Sequence, residues 1–122
     1  MKLETIQKNH NLNEVHTADK VGPGGAHHHY MIKEAKNSES KNNFHCEIKF
    51  QKGPRNEDES IHGVTDSDLL EIVRDRLRSF QNGPFANVYN EEALRHVENA
   101  LFYMNLRVEE RARRNVLGKY KK

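Results

Sequence analysis

A chain of 122 residues with 34% hydrophobic and 31% charged side chains suits one modest domain. Its formal net charge of +2 argues against a nucleic-acid-binding field spread over the whole surface. The single cysteine, Cys46, excludes an intrachain disulfide and fits a reducing compartment. Met1-Lys2-Leu3-Glu4-Thr5 lacks the apolar run of a signal peptide, and no apolar stretch is long enough to span a bilayer. The expectation is a soluble intracellular protein whose small core is supplemented by loops or by self-assembly.

Residues 1–20 are polar and weakly patterned and read as an N-terminal arm. Val21-Gly22-Pro23-Gly24-Gly25 is a turn cluster, after which His27-His28-His29-Tyr30-Met31-Ile32 reads as a strand. Lys36 to Asn43 is a polar connection. Phe44 to Gln51 then alternates, with Phe44, Cys46, Ile48 and Phe50 on one side and His45, Glu47, Lys49 and Gln51 on the other. That period predicts a half-buried strand that pairs with its predecessor as an antiparallel hairpin over residues 21–55. On this pattern Cys46 is an inert core thiol.

Lys52-Gly53-Pro54-Arg55 ends the strand, and Asn56-Glu57-Asp58-Glu59 is an acidic loop. Thr65-Asp66-Ser67-Asp68 has the form of a capping box, which predicts a helix from about Asp66 to Phe80 carrying Leu69, Leu70, Ile72, Val73, Leu77 and Phe80. Gly83-Pro84 cannot continue it. Asn90 is the expected N-cap of a second helix, with Glu91 and Glu92 in its first turn. Leu94, Val97, Leu101, Met104 and Val108 recur at three and four residues, a seam for a facing helix, and Gly118 is the expected C-cap. The predicted fold is α+β: a small N-terminal antiparallel β-sheet followed by a two-helix hairpin over 64–118, in one domain and homo-oligomeric.

The end of the chain is basic, with Arg107, Arg111, Arg113, Arg114, Lys119, Lys121 and Lys122 against Glu109 and Glu110. Arg107 and Arg111 are four residues apart on one helix face and can grip phosphate, although a solvated basic helix end is the simpler account of spacing alone. Phe80 is core by its stripe, yet its place before a Gln-Asn-Gly-Pro turn also suits a base-stacking platform. Alternation sends His27 and His29 to one face, which is too few for a closed metal site without a third ligand such as His45, and no Cys-x-x-Cys or His-Glu-x-x-His is present. No nucleophile stands beside a base; His45 and Glu47 share a strand face, the weak basis of a hydrolase alternative. No catalytic residue, metal or cofactor is therefore assigned.

Several segments together resemble a known family. They are Val21-Gly22-Pro23-Gly24, His28-His29-Tyr30, Ile48-Lys49-Phe50-Gln51-Lys52-Gly53-Pro54, Gly63-Val64-Thr65, Leu69-Leu70-Glu71-Ile72-Val73, Phe80-Gln81-Asn82-Gly83-Pro84-Phe85, and Leu101, Arg107 and Arg111. The chain resembles phage immune-evasion sponges of the Thoeris anti-defence family, which share a helical-hairpin domain with anti-CBASS sponges. The resemblance implies a non-enzymatic phage protein in the host bacterial cytoplasm. Such a protein sequesters a TIR-derived cyclic ADP-ribose isomer, the glycocyclic form, with cyclic di- and trinucleotides as further ligands. It implies a homodimer, or a hexamer built from dimers, with no membrane and no nucleic-acid partner. Carried over, Phe80 would stack on adenine, Asn90 would make a polar contact, Arg107 and Arg111 would hold phosphates, and Arg55 would assist. The chain departs from the family's usual Arg-Gly-Val-Glu-Gly near the end, having Arg114-Asn115-Val116-Leu117-Gly118. The alternative is a nucleic-acid-binding or nucleotide-hydrolysing phage protein.

Overall fold

The computed structural model describes residues 1–36, 43–117, 119 and 122. It divides into two compact units, Met1–Arg55 with Glu59–Gly63, and Asn56–Asp58 with Val64–Lys122. Among the described residues no helix is long and apolar enough to cross a membrane.

The first unit is a three-stranded antiparallel sheet of β1 (Asn13–Thr17), β2 (His29–Glu34) and β3 (His45–Lys49), in that order. The predicted hairpin is present as β2 and β3, in a register that pairs Tyr30 with Ile48 and Ile32 with Cys46. Residues 13–17 are not part of a loose arm but form the third strand, with Val15 opposite Ile32. Asn13-Glu14-Val15-His16-Thr17 has one strongly apolar side chain, so its strand character comes from pairing with β2 rather than from its own pattern. The registers put Val15, Tyr30, Ile32, Cys46 and Ile48 on one face. Tyr30 also meets Phe50 edge-to-face, with ring centroids 5.6 Å apart. Cys46 is exposed rather than a core thiol, because β3 is an edge strand and no element of this unit covers it.

The Gly-Pro cluster forms a 3-10 turn at Pro23–Gly25, where Gly24 and Gly25 take φ of 74° and 79°. The histidines that follow brace this turn. His27 Nδ1 lies 2.9 Å from the Asp19 carbonyl, and His28 Nε2 lies 2.8 Å from the Pro23 carbonyl. Further along, Gly63 runs against β3 so closely that a Cβ would sit 2.5 Å from the Lys49 carbonyl oxygen, which leaves glycine as the residue that fits.

On the opposite face of the sheet, Glu14 is buried at 8% exposure. Its carboxylate is 3.0 Å from His16 Nε2, accepts the Lys36 N–H at 3.2 Å and lies 3.9 Å from Lys2 Nζ. The His16 contact first, then the Lys36 amide and the Lys2 charge, outweigh burial and hold this carboxyl below the ordinary glutamate range.

The second unit is a helical hairpin of α1 (Asp66–Gln81) and α2 (Val88–Arg113). The capping box is as predicted: the Asp68 N–H donates to Thr65 Oγ1 at 3.3 Å, and the Thr65 N–H donates to Asp68 Oδ2 at 2.9 Å. Leu70, Arg74, Leu77 and Gln81 on α1 are half-buried, as are Asn90, Leu94, Val97, Leu101 and Met104 on α2. Across that seam Arg74 Nε donates to Glu98 Oε2 at 2.7 Å. Ile72, Val73 and Phe80 fall on a second α1 face and are 58%, 41% and 41% exposed. Val108 continues the α2 periodicity but is exposed.

The N-cap of α2 is Asn87, not Asn90: Asn87 Oδ1 accepts the Asn90 N–H at 2.8 Å. Asn87 wins because Pro84 confines the turn to its own neighbourhood and Val88-Tyr89 already extends the helix. Glu91 alone of the acidic pair then lies in the first turn. At the other end α2 stops at Arg113, with Arg114 as the cap and Asn115 in the left-handed region at φ 57°. The Val116 N–H returns to the Arg111 carbonyl and the Asn115 N–H to the Ala112 carbonyl, both at 3.0 Å, which is a Schellman closure. Gly118, expected as the cap, lies outside the described residues.

Two outcomes check these local readings. Asn87→Ala removes a helix cap and lowers stability by about 1 kcal/mol in denaturant titration, whereas Asn90→Ala changes it far less. Glu14, with its lowered pKa, stabilises the fold above the unfolded-state glutamate pKa, and that contribution disappears as pH falls through the folded-state value. Glu14→Gln is therefore less stable than wild type at neutral pH, and the gap closes in acid; a gap independent of pH would remove the role given to its charge.

Candidate functional site

The turn between the helices is assembled by side chains that the spacing did not single out. Gln81 clamps it, with Nε2 donating to the Asn87 carbonyl at 3.0 Å and Oε1 accepting the Asn87 N–H at 3.1 Å. Asn87 Nδ2 donates to the Phe85 carbonyl at 3.0 Å. The α1 helix closes through the Asn82 N–H on the Arg78 carbonyl at 3.1 Å. This rigid turn presents Phe80, Phe85 and Tyr89 to solvent, the last two at 77% and 83% exposure.

Phe80 is 41% exposed in the last turn of α1, as a stacking platform requires. Arg76, one helical turn earlier, places its guanidinium carbon 5.3 Å from the Phe80 ring centroid. The two form a cation–π pair, in which the guanidinium steadies the ring and places positive charge beside it. The i, i+4 spacing of Arg76 and Phe80 was the signal available for this pair. Asn90 lies in the first turn of α2, half-buried. Because Asn87 does the capping, the Asn90 carboxamide is not committed to that task.

Arg107 and Arg111 lie near the far end of α2. Arg107 is exposed, and its Nη1 donates to Glu110 Oε2 at 3.1 Å. Glu110 is shared with Arg114, and Arg114 first, then Arg107, hold its carboxyl below the ordinary range. An exposed pair of this kind is worth ~0–1 kcal/mol, so exchanging Glu110 for a ligand phosphate costs Arg107 little. Arg111 is half-buried, and its Nη2 donates to the Val116 carbonyl at 2.9 Å and to the Lys119 carbonyl at 2.7 Å. It braces the chain after the helix, where Val116 is buried at 8% exposure. The i, i+4 arginines therefore differ: one is a surface cation and the other a clasp on the C-terminal turn.

Arg107 lines a groove together with Asp66, Asp68 and Glu71 of α1 and Leu101, Met104 and Val108 of α2. Its three carboxylates set acidic charge beside that arginine.

The hairpin does not bring Phe80 and Asn90 together with the arginines. Arg107 follows Asn90 by seventeen residues of continuous helix, a rise of about 25 Å at ~1.5 Å per residue. Arg55 belongs to the sheet unit and is engaged there. Its Nε and Nη2 donate to Gln51 Oε1 at 3.0 and 2.8 Å, and Nη2 donates to the Gly63 carbonyl at 3.1 Å. Of the residues weighed for hydrolysis, His45 and Glu47 are exposed on β3, and the Glu47 carboxylate is 3.5 Å from His29 rather than paired with His45. Among the described residues no group of three or more histidine, cysteine or acidic side chains is arranged to hold a metal ion.

The chain is 39% identical over 75 residues to Thoeris anti-defense 1 of Bacillus phage SBSphiJ7. The alignment takes in 62% of this chain and 52% of that protein, so it spans about half the length of that relative. The Acb2/Tad1 hairpin domain matches residues 43–109, a stretch that contains Arg55, Phe80, Asn90 and Arg107 and stops short of Arg111. With β3, α1 and most of α2 inside that match, the chain belongs to the Acb2/Tad1 hairpin-domain family.

Proposed function

We propose that this protein captures a cyclic ADP-ribose isomer made by a TIR-domain sensor and holds it uncleaved, blocking Thoeris anti-phage signalling in the bacterial cytoplasm. The family and the Thoeris anti-defense relative support the anti-defence role. The ligand chemistry rests on the side chains. Phe80 with Arg76 behind it takes the adenine, Asn90 meets a polar edge, and Arg107 with Arg111 receives the diphosphate, Arg111 exchanging its bonds to the Val116 and Lys119 carbonyls for the phosphate. Arg55 supports the fold of its loop and assists only through that loop.

The observation that carries this reading is the separation of the aromatic and arginine ends of the hairpin by about 25 Å. One small cyclic nucleotide cannot touch both ends of one chain. Two copies with their hairpins antiparallel put the aromatic turn of one beside the arginine end of the other, twice, around a two-fold axis. The surface supports such pairing. The buried apolar side chains among the described residues are Ala35 and Val116, while Ile72, Phe102 and Tyr103 are 58%, 58% and 68% exposed.

Energetics point the same way. A stacked base is worth ~1–3 kcal/mol and each charged hydrogen bond ~1.5–3 kcal/mol, so one ring and two arginines supply about 4–9 kcal/mol. A nanomolar sponge needs about 12 kcal/mol, which calls for a site enclosed between protomers where water is excluded. Cyclic di- and trinucleotides carry the same purines and phosphates and are further ligands of this chemistry. Three dimers closing into a hexamer would cover the remaining apolar surface.

The test is complementation. Phe80→Ala and Arg107→Ala each abolish capture of the signal from a lysate containing an active TIR sensor while leaving the helical content intact. Mixed after co-expression, the two variants recover about a quarter of the wild-type sites, because half of randomly formed dimers are mixed and each of those holds one intact site. A mixture as inert as its components would refute the shared site, and capture by either variant alone would remove that residue from it.

A further inference from the structure

The sheet unit carries a second feature that the hairpin reading leaves unused. Between the loop 4–12 and the edge of β1 lies a cleft of about 590 Å³, outside the residues that match the hairpin-domain family. Its volume falls within the ~300–1,000 Å³ typical of small-molecule sites. The loop is preformed. Thr5 Oγ1 donates to the Gln7 carbonyl at 2.7 Å, and Asn11 Nδ2 donates to the same carbonyl at 3.0 Å. Backbone bonds then fasten both ends, Leu3 N–H to the Val15 carbonyl at 2.8 Å and Ala35 N–H to the Leu12 carbonyl at 3.0 Å.

Three lysines, Lys2, Lys8 and Lys36, belong to the cleft's lining, against Glu4 and Glu14. Glu14 is already committed to His16, the Lys36 amide and Lys2. Among the described residues no carboxylate comes within ion-pair reach of the Lys8 or Lys36 ammonium. Among the described residues these cations have no counter-charge, which favours attraction of an anion. Gln7 and Asn11 add neutral donors and acceptors suited to hydroxyl groups. None of the described lining residues is aromatic, so a nucleobase would find no stacking surface here.

We propose that this cleft binds a small phosphorylated sugar, its phosphate held by Lys8 and Lys36 and its hydroxyls by Gln7 and Asn11. The site differs from the hairpin in ligand class as well as in place: it reads a sugar phosphate without a base.

Titration of the isotope-labelled protein with ribose 5-phosphate, inorganic phosphate, ribose and a cyclic dinucleotide tests this. Ribose 5-phosphate is expected to shift the backbone amides of residues 2–8, 11–14 and 35–36 saturably, more tightly than inorganic phosphate, with ribose giving no saturable shift. Lys8→Glu combined with Lys36→Glu weakens binding by about tenfold per lysine, whereas Lys8→Arg with Lys36→Arg retains it. The proposal is overturned if ribose 5-phosphate leaves those amides unmoved, if ribose binds equally well, if the cyclic dinucleotide alone shifts them, or if the double glutamate variant binds as wild type does.

Discussion

The antiparallel seam between α1 and α2 is the constraint on which the rest of the molecule depends. Leu70 and Leu77 of one helix share it with Leu94, Val97, Leu101 and Met104 of the other, and the Arg74–Glu98 bond at 2.7 Å crosses it midway. With both partners more than a third exposed, that bond adds little stability. Its contribution is register: a slip of one turn along either helix would separate Arg74 from Glu98 and leave Arg74 with only its own-helix partner Glu71. The capping box at Thr65 and the Gln81–Asn87 clamp fix the two ends of the same hairpin.

Once register is set, the chemistry is divided. Phe80, Phe85, Tyr89 and the carboxamides of Asn87 and Asn90 gather at the closed end of the hairpin with Arg76, and Arg107, Arg111, Arg113 and Arg114 lie at the open end. The division follows from helix preferences as well as from any ligand. Cations near the end of α2 meet its negative pole, and Arg111 satisfies carbonyls that the helix leaves open. The same residues that finish the helix thus provide the positive surface, and in the proposed site a second copy completes each half-site. The second apolar face of α1, Ile72 and Val73 included, is exposed and available to such a copy.

Strong local signals made part of this legible. Thr65 and Asp68 are three residues apart and their reciprocal bonds need no tertiary partner, so the start of α1 could be read directly. The alternation of β3 and the three-four spacing of α2 likewise carry their own periods. What could not be read depends on neighbours distant in sequence. β1 is a strand because β2 lies beside it. Cys46 follows the apolar alternation, yet it is exposed because its strand is an edge. Asn87 and Asn90 are both good caps in isolation, and the geometry of the Pro84 turn decides between them. Arg107 and Arg111 share a spacing but not a task, since Val116 and Lys119 fold back onto only one of them. Arg76 and Phe80 stand four residues apart, so their contact is local and legible in the spacing.

Capture without chemistry is the central claim, and mass spectrometry of the small molecules bound to the protein tests it most directly. The purified chain is incubated with lysate from cells whose TIR sensor is active, washed free of unbound solute and heated. The account predicts that the denatured protein releases the cyclic ADP-ribose isomer intact and that the released material again activates the downstream effector. Release of linear ADP-ribose or another cleavage product, or of no nucleotide at all, would contradict it.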